Sequence, residues 1–196
     1  MKKIELRAYY KSKREEITEN DLITRTKKIA EKILKEIDLE NKTVSIFLPI
    51  KKQKEINTFL IIKEIKNKCR IAVSKSNFTD FSMQHYTYEN ENSLVENEFG
   101  IPEPLAGIEI KPTEMDIVFI PLFTIDSDGN RVGFGKGFYD RFLNKCKPEC
   151  VFIGLHLFEN IDQIDDVNQN DIKLDLCITP YKTITFNSSK KIPFIK

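Results

Sequence analysis

Apolar positions recur every three or four residues between Lys3 and Ile37, set among dense charge. That period is helical. Ile4, Ala8 and Lys11 mark one side of a first helix, and Ile29, Ile33, Leu34 and Ile37 an apolar face of a second. Thr18 followed at i+3 by Asp21 has the form of a capping box with Asp replacing Glu, so the stretch predicts two helices rather than one. Thr43–Leu48 (TVSIFL) reads as a strand ended by Pro49. Helical period returns over Ile56–Lys66, with Phe59, Leu60, Ile62 or Lys63, and Ile65 expected to face inward. Arg70–Val73 predicts a short strand, and the alternation in Ser82–Tyr88 (SMQHYTY) a strand with one wet face. Gly100–Pro104 (GIPEP) is expected to be irregular.

Three apolar runs follow: Asp116–Pro121 (DIVFIP), Val151–His156 (VFIGLH) and Leu174–Thr179 (LDLCIT). The first two suit buried core strands, and the last reads as a late strand. The polar, acidic stretch from Asp162 to Asp171 predicts a loop. Helical and strand patterns interleave, so an α/β sheet with covering helices is expected.

The chain has 196 residues, of which 40% are apolar and 31% charged. That is the profile of one soluble globular domain spanning residues 1–196. The net charge of +1 gives no general affinity for polyanions, so no nucleic-acid partner is expected. The lysines of Lys51–Lys54 read as solvated surface. Cys69, Cys146, Cys150 and Cys177 form no C-x-x-C pair; Cys146 and Cys150 have the spacing to share a helix face but lack zinc-finger partners. Reduced thiols suit a cytoplasmic protein. No apolar run approaches membrane-spanning length, and MKKIELRAYY carries no signal-peptide core, so no membrane partner is expected.

One segment stands apart. Arg131–Phe142 reads RVGFGKGFYDRF, with Gly133, Gly135 and Gly137 alternating with Phe134 and Lys136. Glycines serve turns as readily as ligands; the neighbours decide here. The core strand Asp116–Pro121 lies upstream, and Phe138, Phe142 and Leu143 have helical spacing downstream. A glycine loop between a core strand and a helix is where α/β proteins hold phosphate, because loop N–H groups and the helix terminus attract anions. Lys136 and Arg131 add full charges. The run is neither a Walker loop nor a dinucleotide fingerprint: Gly135-Lys136 precedes Gly137 rather than Ser or Thr, and G-x-G-x-G lacks the final spacing. Phe134, Phe138 and Tyr139 suit either the wall of a flat-ring pocket or the core. Asp140 stands at the start of the helix and Asp171 in the acidic loop. Each is a candidate magnesium ligand, or, on the plainer view, a helix first-turn residue and a loop residue. Lys3 and Arg7 are one helical turn apart on one face, reaching either solvent or a triphosphate. Glu55 follows the first strand's loop, where ligands of open α/β sheets gather, or, on the plainer view, is a dipole partner before the next helix.

Together these blocks resemble the 5-formyltetrahydrofolate cyclo-ligase family over nearly the whole chain. The resemblance is carried by Lys3-x-x-Leu6-Arg7, by Val44–Leu48 with Lys54-Glu55-Ile56-Asn57-Thr58, and by Gly100-Ile101-Pro102-Glu103-Pro104. It continues through Asp116–Pro121 with Asp128–Asp140, and Asn170-Asp171-Ile172-Lys173-Leu174-Asp175. It implies a three-layer α/β/α domain with a mostly parallel central sheet and the N-terminal helices on one face. It also implies ATP- and magnesium-dependent closure of 5-formyltetrahydrofolate to 5,10-methenyltetrahydrofolate by a cytoplasmic, monomeric enzyme. By position, Lys3, Arg7 and the loop from Arg131 through Gly133, Phe134, Gly135, Lys136, Gly137 and Phe138 to Tyr139 would hold ATP. Lys136 and Arg131 would serve the transferred phosphate, and Asp140 and Asp171 magnesium. Leu48, Glu55 and Phe138 would contact the folate. Phe138 departs from the family's usual Tyr, Ile125 stands where Phe is common, and the Leu48–Glu55 segment is longer than in some members. Two other classes use such a cradle: a kinase or ligase acting on another small substrate, and a non-enzymatic nucleotide sensor. Lys136, Asp140, Asp171 and Glu55 together favour an enzyme.

Overall fold

The computed structural model describes residues 1–186. Helix α1 spans Lys3–Glu15 and α2 spans Glu19–Glu36. The predicted break lies between them. The Thr18 hydroxyl accepts from the Asp21 amide at 3.1 Å and donates to the Asp21 carboxylate at 2.8 Å. The buried face of α1 is not the expected one: Leu6, Tyr10 and Arg14 are buried, whereas Ile4 is 70% exposed. Leu6 and Tyr10, one turn apart, are completely buried. Burying each such side chain contributes about 1.5–3 kcal/mol, which fixes the helix and whatever it carries.

Strand β1 (Thr43–Ile46) is followed by α3 (Thr58–Ile65), β2 (Arg70–Asn77) and β3 (Ser82–Thr87). The inward face of α3 is Thr58, Ile61, Ile62 and Ile65; Phe59 and Leu60, expected inside, are only half-buried. β2 runs four residues beyond Val73 because β3 pairs with it through Asn77↔Ser82. Short strands β4 (Leu94–Glu96) and β5 (Pro102–Pro104) pair with each other, and β6 is Glu109–Ile110. The Pro-Glu-Pro segment, expected to be irregular, is thus a strand. Its prolines donate nothing to the ladder, as an edge strand tolerates. Its Glu103 carboxylate accepts from the Ser76 amide at 2.9 Å. The remaining elements are β7 (Ile117–Pro121), β8 (Thr124–Ile125), β9 (Arg131–Val132), α4 (Phe138–Leu143), β10 (Val151–Leu155), β11 (Leu176–Ile178) and β12 (Thr183–Thr185). The acidic stretch before Asp171 is a loop, as expected. Cys146 and Cys150 lie beyond the end of α4, so they do not share a helix face.

Eight strands form one sheet in the order β12-β11-β10-β7-β1-β2-β3-β6. The run from β11 to β2 is parallel, and antiparallel strands finish both edges. Alternation along β7 and β10 makes two cores. Ile117, Phe119, Ile153 and Leu155 pack with Leu6, Tyr10, Ile29 and Ile33 from α1 and α2. Val118, Ile120 and Phe152 pack with Phe142 and Leu143 of α4. This is the mostly parallel α/β sheet expected, with the N-terminal helices on one face. Among the described residues, no helix is long and apolar enough to cross a membrane.

His85 on β3 is buried, with its ring stacked on Phe142 at 4.1 Å. Burial pulls its pKa from about 6.5 down to about 3. Between those values the unfolded chain binds a proton that the folded chain excludes, so stability falls as pH drops below about 6.5. The expected slope is at most about 1.4 kcal/mol per pH unit from this group. His156, buried against Tyr10 and Phe158, acts in the same direction. Urea unfolding at pH 7 and pH 5 should show His85→Phe losing less stability than the parent. Equal losses would mean that His85 does not exclude the proton.

Candidate active site

The chain passes from β1 outward to β2 on one side and returns through β7 on the other. The order therefore reverses between β1 and β7. Loops leaving the carboxyl ends of strands at such a point splay apart and open a crevice. A cleft of about 1000 Å³ lies there, lined by Phe47 and Leu48 after β1, Pro121 at the end of β7, and Ser74 and Ser76 on β2. Every predicted site residue lines it: Lys3, Arg7, Leu48, Glu55, Arg131, the loop from Gly133 to Tyr139, Asp140 and Asp171.

Helix α1 brings one wall. Arg7 Nε donates to the Gly133 carbonyl at 2.7 Å, and Lys3 Nζ pairs with Asp171 Oδ2. The shared face of Lys3 and Arg7 is turned to the cleft, not to solvent. The glycine loop is the opposite wall, but it does not follow the core strand directly as expected. The β8–β9 hairpin intervenes, closed by Asp126, whose carboxylate accepts from the amides of Asp128 and Asn130 at 2.9 and 2.8 Å. The hairpin delivers Arg131 into a buried position, donating to Asp140 Oδ1 at 2.8 Å and to the Ile172 carbonyl. Gly135 has φ +88°, and a Cβ there would stand 3.0 Å from the Arg7 guanidinium. Glycine is required on both counts. Lys136 is exposed at the loop's tip, its ammonium 6.0 Å from the Phe81 ring centre.

Glu55 is a buried acid of the cleft, 4% exposed. Its Oε2 accepts from the Ile50 amide at 2.7 Å, while Oε1 has no partner among the described residues. Burial pushes its pKa up to about 7, against the pull of the Ile50 amide and Arg14. An unpaired buried carboxylate oxygen costs stability unless something is meant to meet it.

Phe138 meets Phe78 and Phe81 edge-on at 5.2 and 5.6 Å, and Phe99 lies 4.3 Å from Phe78. Phe78 and Phe99 line the cleft, and sequence reading did not single them out. Their signal was an aromatic in a turn, flanked by Thr-Asp or by Glu-Gly, where polar residues are the rule. Phe134 leans on Phe123 at 4.8 Å.

The two candidate metal carboxylates are held close together, since Asp140 Oδ1 also accepts from the amide of Ile172, the residue after Asp171. Both bonds to Asp140 fall on Oδ1. Both bonds to Asp171, from Lys3 and the Asn168 amide, fall on Oδ2. Among the described residues this leaves one oxygen of each for a ligand. Two carboxylates beside a cluster of cations fit magnesium, which takes few protein ligands and fills its octahedron with water and ligand oxygens. Among the described residues there is no closed cluster of three or more metal-binding side chains.

A mostly parallel sheet, a switch-point cleft, a cationic glycine loop and a buried unpaired acid define an α/β enzyme rather than a scaffold. Comparison with known proteins narrows this. Residues 1–180 match the model of the 5-formyltetrahydrofolate cyclo-ligase family, and the chain belongs to that family. It is 28% identical over 187 residues to the 5-formyltetrahydrofolate cyclo-ligase of Mus musculus, covering 87% of this chain and 89% of that protein. It is 32% identical over 117 residues to the Haemophilus influenzae protein of the same name, covering 58% of this chain and 62% of the other. The fold matches the NMR structure of Aquifex aeolicus 5,10-methenyltetrahydrofolate synthetase at a TM-score of 0.75 and 24% identity, over 97% of this chain and 96% of that one. The resemblance carried by the motifs is therefore borne out.

Proposed function

We propose that the cleft closes 5-formyltetrahydrofolate to 5,10-methenyltetrahydrofolate, using ATP and magnesium and releasing ADP and phosphate. The observation that carries this reading is the cleft itself. It joins four cations (Lys3, Arg7, Arg131 and Lys136) and two carboxylates to a buried acid with one open oxygen.

An amide oxygen is a poor leaving group until it is phosphorylated. In this reading the formyl oxygen takes the γ-phosphoryl group, the N10 amine attacks the activated carbon and releases its proton to solvent, and phosphate departs. The protein contributes position and charge, which dominate phosphoryl transfer. Lys3 and Arg7 bind phosphate oxygens from α1, while loop amides and Lys136 neutralise charge on the moving group. Arg131 orients Asp140. Asp140 and Asp171 would hold magnesium, which when bound shields the phosphates. Glu55 Oε1 accepts an N–H of the folate, and Leu48 and Phe138 flank its rings.

Purified protein, ATP, magnesium and 5-formyltetrahydrofolate should give methenyl absorbance in the near ultraviolet, with one ADP per product. No absorbance from folded protein would sink the reading. Asp140→Asn keeps the shape and an acceptor for the Ile172 amide but loses the charge a hard cation needs. Its activity is expected to saturate at higher magnesium, and superimposed titrations would remove Asp140 from the metal. Phe138→Tyr should change folate KM by less than about tenfold, since one hydrogen bond is worth about 0.5–1.5 kcal/mol. Phe138→Ala should do more damage, because the ring and its contacts are lost. A Phe138→Ala enzyme with parental KM would make the aromatic loop packing alone.

A further inference from the structure

Arg14 lies behind the cleft wall and is 4% exposed. Its Nη2 donates to the Leu122 carbonyl at 2.7 Å and its Nη1 to the Gln53 carbonyl at 3.3 Å. The guanidinium sits 4.5 Å from the centre of the Phe123 ring. Its Nε has no partner among the described residues, and no carboxylate forms an ion pair with it there. Gln53 belongs to the turn after β1, and Leu122 and Phe123 to the turn after β7. One side chain on α1 therefore ties together the two turns that flank the switch point. Phe123 passes the contact to Phe134 in the glycine loop. A buried cation without an acid in contact is unfavourable by itself. Its nearest use is two residues beyond Gln53, where Glu55 is buried with an open oxygen.

We propose that Arg14 is a positioning residue: it fixes the Gln53–Glu55 and Leu122–Phe123 turns to α1, and its charge adds to the Ile50 amide in favouring the anion that Glu55 presents to the folate. This rests on the folate-contact role given to Glu55 above. The groups around the pair agree with it. The Ile50 amide and Arg14 favour the Glu55 anion against burial. Tyr139 of α4 is a phenol held protonated by burial and by the charge of Glu55, against the pull of Arg131. Lys54 is turned away, its ammonium held by the Glu15 and Ile17 carbonyls at 2.7 Å each. His156 faces Arg14 and is kept neutral by burial, and the guanidinium adds to that.

The test follows the Glu55 carboxyl by ¹³C NMR, its signal assigned with Glu55→Gln, beside the pH dependence of kcat/KM. Arg14→Met, or Arg14→Gln if Met does not fold, should raise the Glu55 midpoint by more than about 0.5 pH unit. The acid limb of kcat/KM should move with it. Arg14→Lys keeps the charge and should hold the midpoint within about 0.3 unit, while losing rate because one ammonium cannot clamp both carbonyls. An unmoved midpoint in the uncharged variants would overturn the proposal, as would a shift of about one unit in Arg14→Lys. The NMR titration needs no substrate. Failure of the ring-closing assay would count against the assigned reaction and leave the Arg14–Glu55 coupling separately decided.

Discussion

Lys136→Ala is expected to lower kcat by about 10²–10³-fold while KM for the folate changes little. Lys136 stands at the tip of the glycine loop, flanked by Gly135 and Gly137, both with positive φ. It is exposed, with no ion pair among the described residues, so its removal should cost little stability. Its charge is felt most by the phosphoryl group in flight, where charge is spread over three oxygens. An interaction made chiefly in the transition state appears in kcat rather than in substrate affinity. Arg7 and Arg131 do not replace it, since Gly133 and Asp140 hold them at the walls of the cleft, away from the loop's tip. Steady-state kinetics with both substrates, and a melting curve to show folding, would check this. A folded variant with parental kcat would take Lys136 out of the chemistry.

Glu55→Gln should make the protein more stable and much less active. The carboxyl titrates near 7 in the fold against 4.5 in the open chain. Between those values the folded chain retains a proton that the unfolded chain has released. Stability therefore falls as pH rises through that window, by at most about 1.4 kcal/mol per pH unit. A neutral amide escapes that loss. The variant should be more stable than the parent by about 3 kcal/mol at pH 8, with the difference vanishing toward pH 4.5. Catalysis should move the other way, because a charge-assisted hydrogen bond to the folate is lost. A deficit of about 2–3 kcal/mol, or roughly 30- to 160-fold in kcat/KM, is expected. Urea unfolding across pH, set beside kinetics, reads both. Parental stability at pH 8 would mean that Glu55 is not strained by burial, and parental kcat/KM would mean that it does not meet the folate.

Much of this site was legible before any fold was known, because its parts are local. The spacing of Lys3 and Arg7 predicted a shared face, and the glycine loop announced itself by backbone requirements that Gly135 then meets. The buried strands β7 and β10 were legible as unbroken apolar runs, and β11 as a late strand. Other parts were hidden for physical reasons. The inner face of α1 was misjudged because periodicity counts hydrophobic residues, whereas this helix buries an arginine and exposes an isoleucine. The β8–β9 hairpin lay concealed inside the motif, its two-residue strands too short for any period to show. Phe78 and Phe99 come from separate turns and acquire meaning only when the sheet brings them to Phe138. Glu55 carried no local signal of burial. The sheet supplies it by setting the turn after β1 against α1 and α4.

The bond from Lys3 to Asp171 joins residues 168 positions apart, and that from Arg7 to Gly133 joins residues 126 apart. Loop-closure entropy must be overcome before such contacts yield anything, so they belong to the last stage of folding rather than the first. Helices α1 and α2 and the neighbouring strands can gather most of the secondary structure while the chain's two distant regions are still apart. A population rich in helix is therefore not yet an enzyme. Recovery of activity is a stricter gauge of the native state than the return of circular dichroism, because only the former waits for α1 to be stapled across the far loop.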